Sequence, residues 1–416
     1  MDPYLFIIVA AVAVIVSHLF NVLAKATNIP SVLMLIALGL VLHQVLRYFG
    51  GFTPGPLFVQ VLNVLGIAGL IMIVLEAALD LELTRDRRAL IARSFAVAFC
   101  TLLGTTAAIA FVLYSVLVQD VFRCLVYATP LAIVSSAIVL PSVTSMQRDQ
   151  REFMVYEATF SDILGIMLFY FLVDDHGDAT AGQIAANVAG SVFVTVLVSL
   201  LVGIALIWVF QRIRTRVKFF LLIAVLMLLY ALGKKMNLSS LLIILVFGLM
   251  VKNHGMIFRG WISRLTRSGV MHTIEKELHL ITGETAFLVR TFFFLVFGLT
   301  IDVTRLADPQ VLLLGGIIVV VIYAVRSVFV GVFRRSGVRT ITMVAPRGLI
   351  TILLAYNIPD HLRIPDRDGS ILLEVILVTS VVMMVGLMTS GNKADLSVTG
   401  DPSGSLPSSS VAEEDA

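Results

Sequence analysis

Charge is what this sequence has least of: 14% of its 416 residues are charged and 59% are hydrophobic, with mean hydropathy +1.00. Soluble domains carry about 25% charged residues, so the two or three soluble domains that the length alone suggests are excluded. Cysteine is nearly absent. Cys100 and Cys124 lie in or at the edge of apolar runs, which excludes a disulfide framework and a zinc-finger spacing. The net charge is only +3, and the basic residues stand in short clusters between apolar stretches, so nucleic acid is not an expected partner. His-Glu-x-x-His and Gly-x-Ser-x-Gly are both missing, and His272 and His279 flank a polar loop, so no enzyme and no cofactor are expected. The opening Met-Asp-Pro-Tyr has no basic stretch, so the first apolar run is expected to be retained as a span. What remains is an all-α polytopic membrane protein in a lipid bilayer.

A helix needs about 20 apolar residues to cross the hydrocarbon, because its backbone must pair internally there. Thirteen runs qualify: 4–24, 31–49, 58–79, 93–117, 122–146, 153–173, 185–210, 219–232, 238–251, 278–301, 311–333, 338–356 and 371–389, the eighth and ninth being short. With the amino terminus outside, 20 Lys and Arg fall in cytoplasmic loops and 7 in outer ones. That bias favours this orientation in a cell membrane, with the carboxyl terminus cytoplasmic. Three arginines, Arg290, Arg326 and Arg347, fall within the membrane. Residues 253–277, basic with Trp261, Ile262 and Leu265, read as an interfacial amphipathic helix or linker. Residues 391–416 are polar and read as a disordered cytoplasmic tail.

The two halves resemble each other. Leu75-Glu-Ala-Ala-Leu-Asp-Leu-Glu-Leu83 ends the third span and Leu295-Val-Phe-Gly-Leu-Thr-Ile-Asp-Val303 the tenth, 220 residues apart; Pro130 and Pro346 lie mid-span 216 apart. Mid-span proline removes a helix hydrogen bond and frees a carbonyl. Six spans and one linker span separate the copies, so the second must be inverted, the design of secondary transporters. The expected units are a first inverted repeat at 1–175 with a broken fifth span, a linker helix at 185–210, and a second repeat at 217–390 with a broken twelfth span.

Five carboxylates stand within the apolar runs: Glu76, Glu157, Asp162, Glu284 and Glu374. Each costs roughly 2.5–3.5 kcal/mol on insertion scales and should face a partner or a water-filled cavity. Glu157 and Asp162 share the sixth span, about 140° apart around it and about 7.5 Å along it. They therefore look in different directions, one suited to a permeation cavity and the other to a cation inside the bundle. The fifth span adds Thr129, Ser135 and Ser136 beside Pro130, hydroxyls that with freed carbonyls suit a partly dehydrated Na⁺ or K⁺. Hydroxyls are also common packing residues between membrane helices.

Glu157-Ala-Thr-Phe-Ser-Asp162 is similar to the Glu-Ser-x-x-Asn-Asp box of the monovalent cation/proton antiporter superfamily, the sodium/proton exchangers. Asn28-Ile-Pro-Ser-Val-Leu-Met-Leu-Ile-Ala-Leu-Gly-Leu40 resembles the family's second-span signature; Phe287-Leu-Val-Arg290 through Asp302 and Ala345-Pro-Arg-Gly-Leu349 resemble later ones. The resemblance covers most of the membrane part. It implies the sodium/proton antiporter fold, about 13 transmembrane helices in two inverted repeats with broken crossing helices, and a homodimer. It also implies that Asp162 binds proton and metal cation in turn, that Ser161, Thr129 and Glu157 belong to the cation/proton site, and that Arg326 pairs with Glu157. Arg290 and Arg347 match motif positions with a functional or a structural role. Two departures stand out. Ser161 replaces the usual Asn or Asp, and Thr129-Pro130 lacks the acid of many relatives, while Ser135-Ser136-Ala137 resembles the potassium-efflux branch.

The expected function is antiport of Na⁺, with K⁺ as the alternative cation, against H⁺, serving pH homeostasis and electroneutral because one carboxylate cycles. A monovalent cation channel and a transport-inactive pH or cation sensor are the competing readings. A channel needs a continuously lined filter, to which one acid flanked by broken helices is poorly suited.

Overall fold

The structure, a computed structural model, describes residues 3–27, 31–48, 56–84, 86–143, 146–173, 194, 197–205, 207, 218–235, 240–257, 268–300, 308–334, 337–364 and 368–398. Much of the 185–210 span, the middle of the 253–277 segment and the last 18 residues of the tail lie outside the described residues.

Helices fill the apolar runs. They are α1 (Pro3–Thr27), α2 (Ser31–Tyr48), α3 (Pro56–Asp80), α4 (Arg88–Val116), α5 (Val121–Ala132), α6 (Ser136–Ser142), α7 (Arg148–Val173), α8 (Lys218–Lys235), α9 (Ser240–Lys252), α10 (Ser268–Thr300), α11 (Pro309–Phe333), α12 (Val338–Met343), α13 (Leu349–Tyr356) and α14 (Asp368–Val398). No strand occurs among the described residues, and six helices there are long and apolar enough to cross a membrane. Phe111, Val320 and Val332, each about 70% exposed, stand where lipid would meet the bundle (72%, 68% and 71%).

Three boundaries differ from the sequence reading. α10 starts at Ser268, so the last ten residues of the segment expected to be interfacial continue into the span as one 33-residue helix. α14 runs to Val398, past residue 391 where the disordered tail was expected to begin. Pro130 stands inside α5, and the chain leaves the helix only at Ile133–Ser135. The proline deletes the bond to the Val126 carbonyl, but the departure comes where the backbone finds partners on other helices. In the twelfth span Pro346 does lie in the break, between α12 and α13.

The helices pack in two layers. α1, α2, α3, α8, α9 and α10 pack among themselves, as do α4 to α7 with α11 to α14. In chain order, α1–α3 and α8–α10 fall in one layer, the panel, and α4–α7 and α11–α14 in the other, the core. Within the panel, α2 and α10 come close enough that a Cβ on Gly39 would stand 2.8 Å from Gly298 Cα, so glycine is required on both sides. The connection from panel to core, residues 81–84, is held from both layers. Asn253 donates to Leu81 O at 2.9 Å and accepts from Leu83 N at 2.7 Å, while the Tyr156 hydroxyl of α7 donates to Glu82 O at 2.8 Å.

Inside the core, Arg326 of α11 and Glu157 of α7 form a bidentate pair, Nη1 to Oε1 at 2.5 Å and Nη2 to Oε2 at 2.8 Å, both side chains fully buried. The guanidinium also donates to Ile341 O at 3.0 Å and Val344 O at 3.2 Å, at the end of α12. One cation therefore closes a carboxylate and a helix end together. Losing one partner leaves a buried charge uncompensated, about 3–5 kcal/mol. Glu157→Gln and Arg326→Gln should each lower the unfolding temperature markedly, and the double substitution should lower it by less than the sum. Thermal unfolding of the three variants checks this, and additive losses would contradict the pairing.

Candidate functional site

The two breaks cross in the middle of the core and bond to each other. Ser135 N donates to Pro346 O at 3.0 Å. Where helices stop inside a membrane, their terminal carbonyls and amides need new partners, and each here is met by a particular residue. Arg347, fully buried, caps the carbonyl end of α5, Nε on Leu131 O at 2.8 Å and Nη2 on Ala132 O at 3.2 Å, and its Nη1 reaches Ala345 O at 2.7 Å. Its own amide donates to Thr379 Oγ1 of α14 at 3.1 Å. The sequence left Arg347 between a functional and a structural role; in the structure its partners are carbonyls of both breaks.

α7 lies against the break of α5 and presents two neighbouring side chains to it. Ser161 Oγ accepts from Val134 N at 2.9 Å, and Asp162 Oδ2 accepts from Ser136 N at 2.9 Å, where α6 begins. Asp162 is 1% exposed. Its other oxygen, Oδ1, is buried with no hydrogen-bond partner among the described residues, and so is Ser135 Oγ. Ser135 Oγ lies against the second break, 2.6 Å from where a Cβ on Gly348 would stand, so only glycine fits there. Two orphaned oxygens thus lie at the break of the fifth span, one on Ser135 within it and one on the carboxylate that the Ser136 amide holds. No ion pair reaches Asp162 among the described residues. A buried carboxylate oxygen without a donor is costly; a proton or a bound cation removes the cost.

The other expected residues fall elsewhere. Thr129 is buried, but its hydroxyl donates to Leu125 O of its own helix at 2.8 Å, and no bond joins it to Asp162. Glu157 has both oxygens on Arg326, at the α7, α11 and α12 junction. Arg290 sits on the panel, where Nη2 approaches Glu76 Oε1 at 3.5 Å and Nη1 approaches Ala137 O of α6 at 3.4 Å, so it spans the two layers. Glu284, expected to face a partner or a water-filled cavity, is exposed on α10, unlike the buried Glu157 and Asp162; hydropathy does not reveal which face of a helix a residue takes. Glu374 is buried against Gly315 of α11, with Oε2 unpartnered among the described residues. Sequence reasoning gave no place to the main-chain amides of Val134 and Ser136, which carry no side-chain signal. It noted the Ser135 hydroxyl without distinguishing it from its neighbours.

Among the described residues no group of three or more His, Cys, Asp or Glu could hold a metal ion. The donors at the crossing are one carboxylate, hydroxyls and carbonyls, the hard oxygen set of an alkali cation and unlike the nitrogen and sulfur set of zinc.

The model of the family described as "Sodium/hydrogen exchanger, transmembrane" matches residues 7–390. Two solved structures of the sodium proton antiporter MjNhaP1 from Methanocaldococcus jannaschii share the fold. One, at pH 8, has TM-score 0.70 and 17% identity over 94% of this chain and 100% of that one; the other, an electron-microscopy structure, has TM-score 0.69 and 16% identity over 97% and 100%. No curated protein matches the sequence. With the family match running from α1 into α14 and the fold shared along its length, the chain belongs to the sodium/hydrogen exchanger family, multi-pass membrane antiporters of cations and protons.

Proposed function

We propose that the chain exchanges one monovalent cation, Na⁺ in preference to K⁺, for one H⁺ by alternating access, with Asp162 as the shared site. The observation that carries this reading is the unpartnered, buried Oδ1 of Asp162, whose other oxygen is held by the Ser136 amide at the break of the fifth span. A carboxylate so placed holds a proton or a cation, and each excludes the other, which is the requirement for coupling. Ser135 Oγ and Ser161 supply neutral oxygens beside it. Glu157 takes a structural part in the site through Arg326. The core carries the ion and moves against the panel, with residues 81–84 as the connection and the bond from Arg290 to the Ala137 carbonyl between the layers. Two copies form a homodimer, and the amino terminus faces outside, as the Lys and Arg bias favours.

A channel reading gains nothing from the site, since Asp162 and Ser161 are 1% and 2% exposed. The sodium proton antiporter named above favours Na⁺ as the cation.

Asp162→Asn should reduce cation-driven proton flux in proteoliposomes to that of empty liposomes while leaving thermal stability near that of the parent. Ser135→Ala should keep exchange but lose one ligand, roughly 1.4 kcal/mol, or about tenfold in apparent cation affinity. Sustained flux in the first variant would refute the assignment of Asp162.

Exchange should also be electroneutral. Ser161 offers a hydroxyl where a second acid would titrate, and the buried cations at the core are arginines, which do not release protons. The moving core then carries the same net charge in both directions, so the potential, worth about 2.3 kcal/mol per charge per 100 mV, does no work on the cycle. With the cation and pH gradients balanced, a valinomycin-clamped potential should drive no flux. Flux under that condition would overturn the one-to-one stoichiometry.

A further inference from the structure

A cleft of about 460 Å³, whose lining does not include Asp162, opens between core and panel. Its walls include Arg88, Ala92 and Phe95 of α4 and Phe160 of α7, closed from the panel side by Thr84 of the connection and Met256 just beyond α9. The volume falls within the range of about 300–1,000 Å³ typical of small-molecule sites. Phe95 and Phe160 meet edge to face, ring centroids 5.3 Å apart, and Phe95 is 43% exposed.

The cleft has a charged mouth and an apolar interior. Arg88 is the one charged residue among those lining it. Its neighbour Arg87 is taken by Glu152, whereas Arg88 is exposed and has no ion-pair partner among the described residues. Phe95 lies seven residues further along α4, about 10 Å deeper at 1.5 Å per residue. Phe99 and Leu103, 43% and 41% exposed, follow Phe95 at four-residue steps along α4 beyond the cleft. An arginine at headgroup level with an aromatic and aliphatic track leading inward is complementary to an amphiphile with an anionic head and an acyl tail. The bilayer is its natural source. The amino end of α4, which has no side-chain cap, adds amides that favour a phosphate at the same place.

We propose that this cleft is a specific binding site for an anionic phospholipid, its phosphate on Arg88 and one acyl chain between Phe95, Phe160 and Met256. The occupant touches α4 and α7 of the core together with the 81–84 connection and Met256 of the panel. A lipid seated there reports, and resists, displacement of one layer against the other. Phe160 stands two residues before Asp162, so the tail also rests on the helix that carries the ion site. This site does not depend on the identity of the transported cation.

The test uses the full-length protein in phosphatidylcholine nanodiscs containing a phosphatidylglycerol probe with a diazirine on one acyl chain. After photolysis, peptide mapping should place adducts on Phe95, Phe160 and Met256, and unlabelled phosphatidylglycerol should compete better than phosphatidylcholine. Arg88→Gln should lower the yield about fivefold, the factor matching ~1 kcal/mol per basic residue at an anionic surface. Arg93→Gln, an exposed arginine of α4 that does not line the cleft, should leave it unchanged. Ala92→Trp should fill the cleft and remove the Phe160 adduct, with the unfolding temperature measured alongside to show that the fold persists. Equal yields from a phosphatidylcholine probe, indifference to Arg88→Gln, or adducts spread evenly to Phe111 and Val320 would overturn the proposal and identify ordinary surrounding lipid.

Discussion

Two interrupted helices cross inside a membrane, and every main-chain group exposed by the interruptions must find a partner without water. That demand organises the core. Arg347 takes the carbonyl end of α5, Arg326 takes the carbonyls at the end of α12, Ser161 takes the Val134 amide and Asp162 takes the Ser136 amide. The breaks then join directly, Ser135 to Pro346. Replacing any of these groups by an apolar one would strand a buried donor or acceptor, which is why so polar a set survives in so apolar a sequence.

Two carboxylates on one helix are treated in opposite ways. Glu157 gives both oxygens to an arginine and is fixed; Asp162 receives one amide and keeps an oxygen unpartnered. The first arrangement locks α7 to α11 and α12; the second leaves a buried carboxylate oxygen unpartnered among the described residues, the feature on which the proposed exchange rests. From the panel, Arg290 reaches the Ala137 carbonyl of α6 beside the first break. The panel's α2 and α10 are in glycine-tight contact, and Arg290 and the 81–84 connection lie between panel and core.

Much of this was legible in the sequence because it is written in periodicity and in charge placed among apolar residues. The 100° step put Glu157 and Asp162 on different sides of α7, and they do meet different partners. The paired prolines marked the two interrupted spans. What escaped were features fixed by tertiary partners. Pro130 marks a missing hydrogen bond, yet the fifth helix ends two residues later at Ala132, just before Val134 and Ser135 bond to other segments. The role of Arg347 is invisible to a search for a complementary acid, since its partners are carbonyls. Glu284 looks like Glu76 in hydropathy and differs only in the helix face it occupies. Thr129 has the right chemistry beside the break, but its hydroxyl turns back to Leu125.

The central claim is that proton and cation compete for one carboxylate, and the most direct measurement is proton release on cation binding. Purified protein in weakly buffered detergent solution, at a pH where Asp162 is protonated, is titrated with NaCl while a pH indicator is followed, with choline chloride as the control. The account predicts one proton released per bound Na⁺, with half-release moving to higher Na⁺ concentration as pH falls. Saturable Na⁺ binding with no proton released, at an affinity independent of pH, would contradict it.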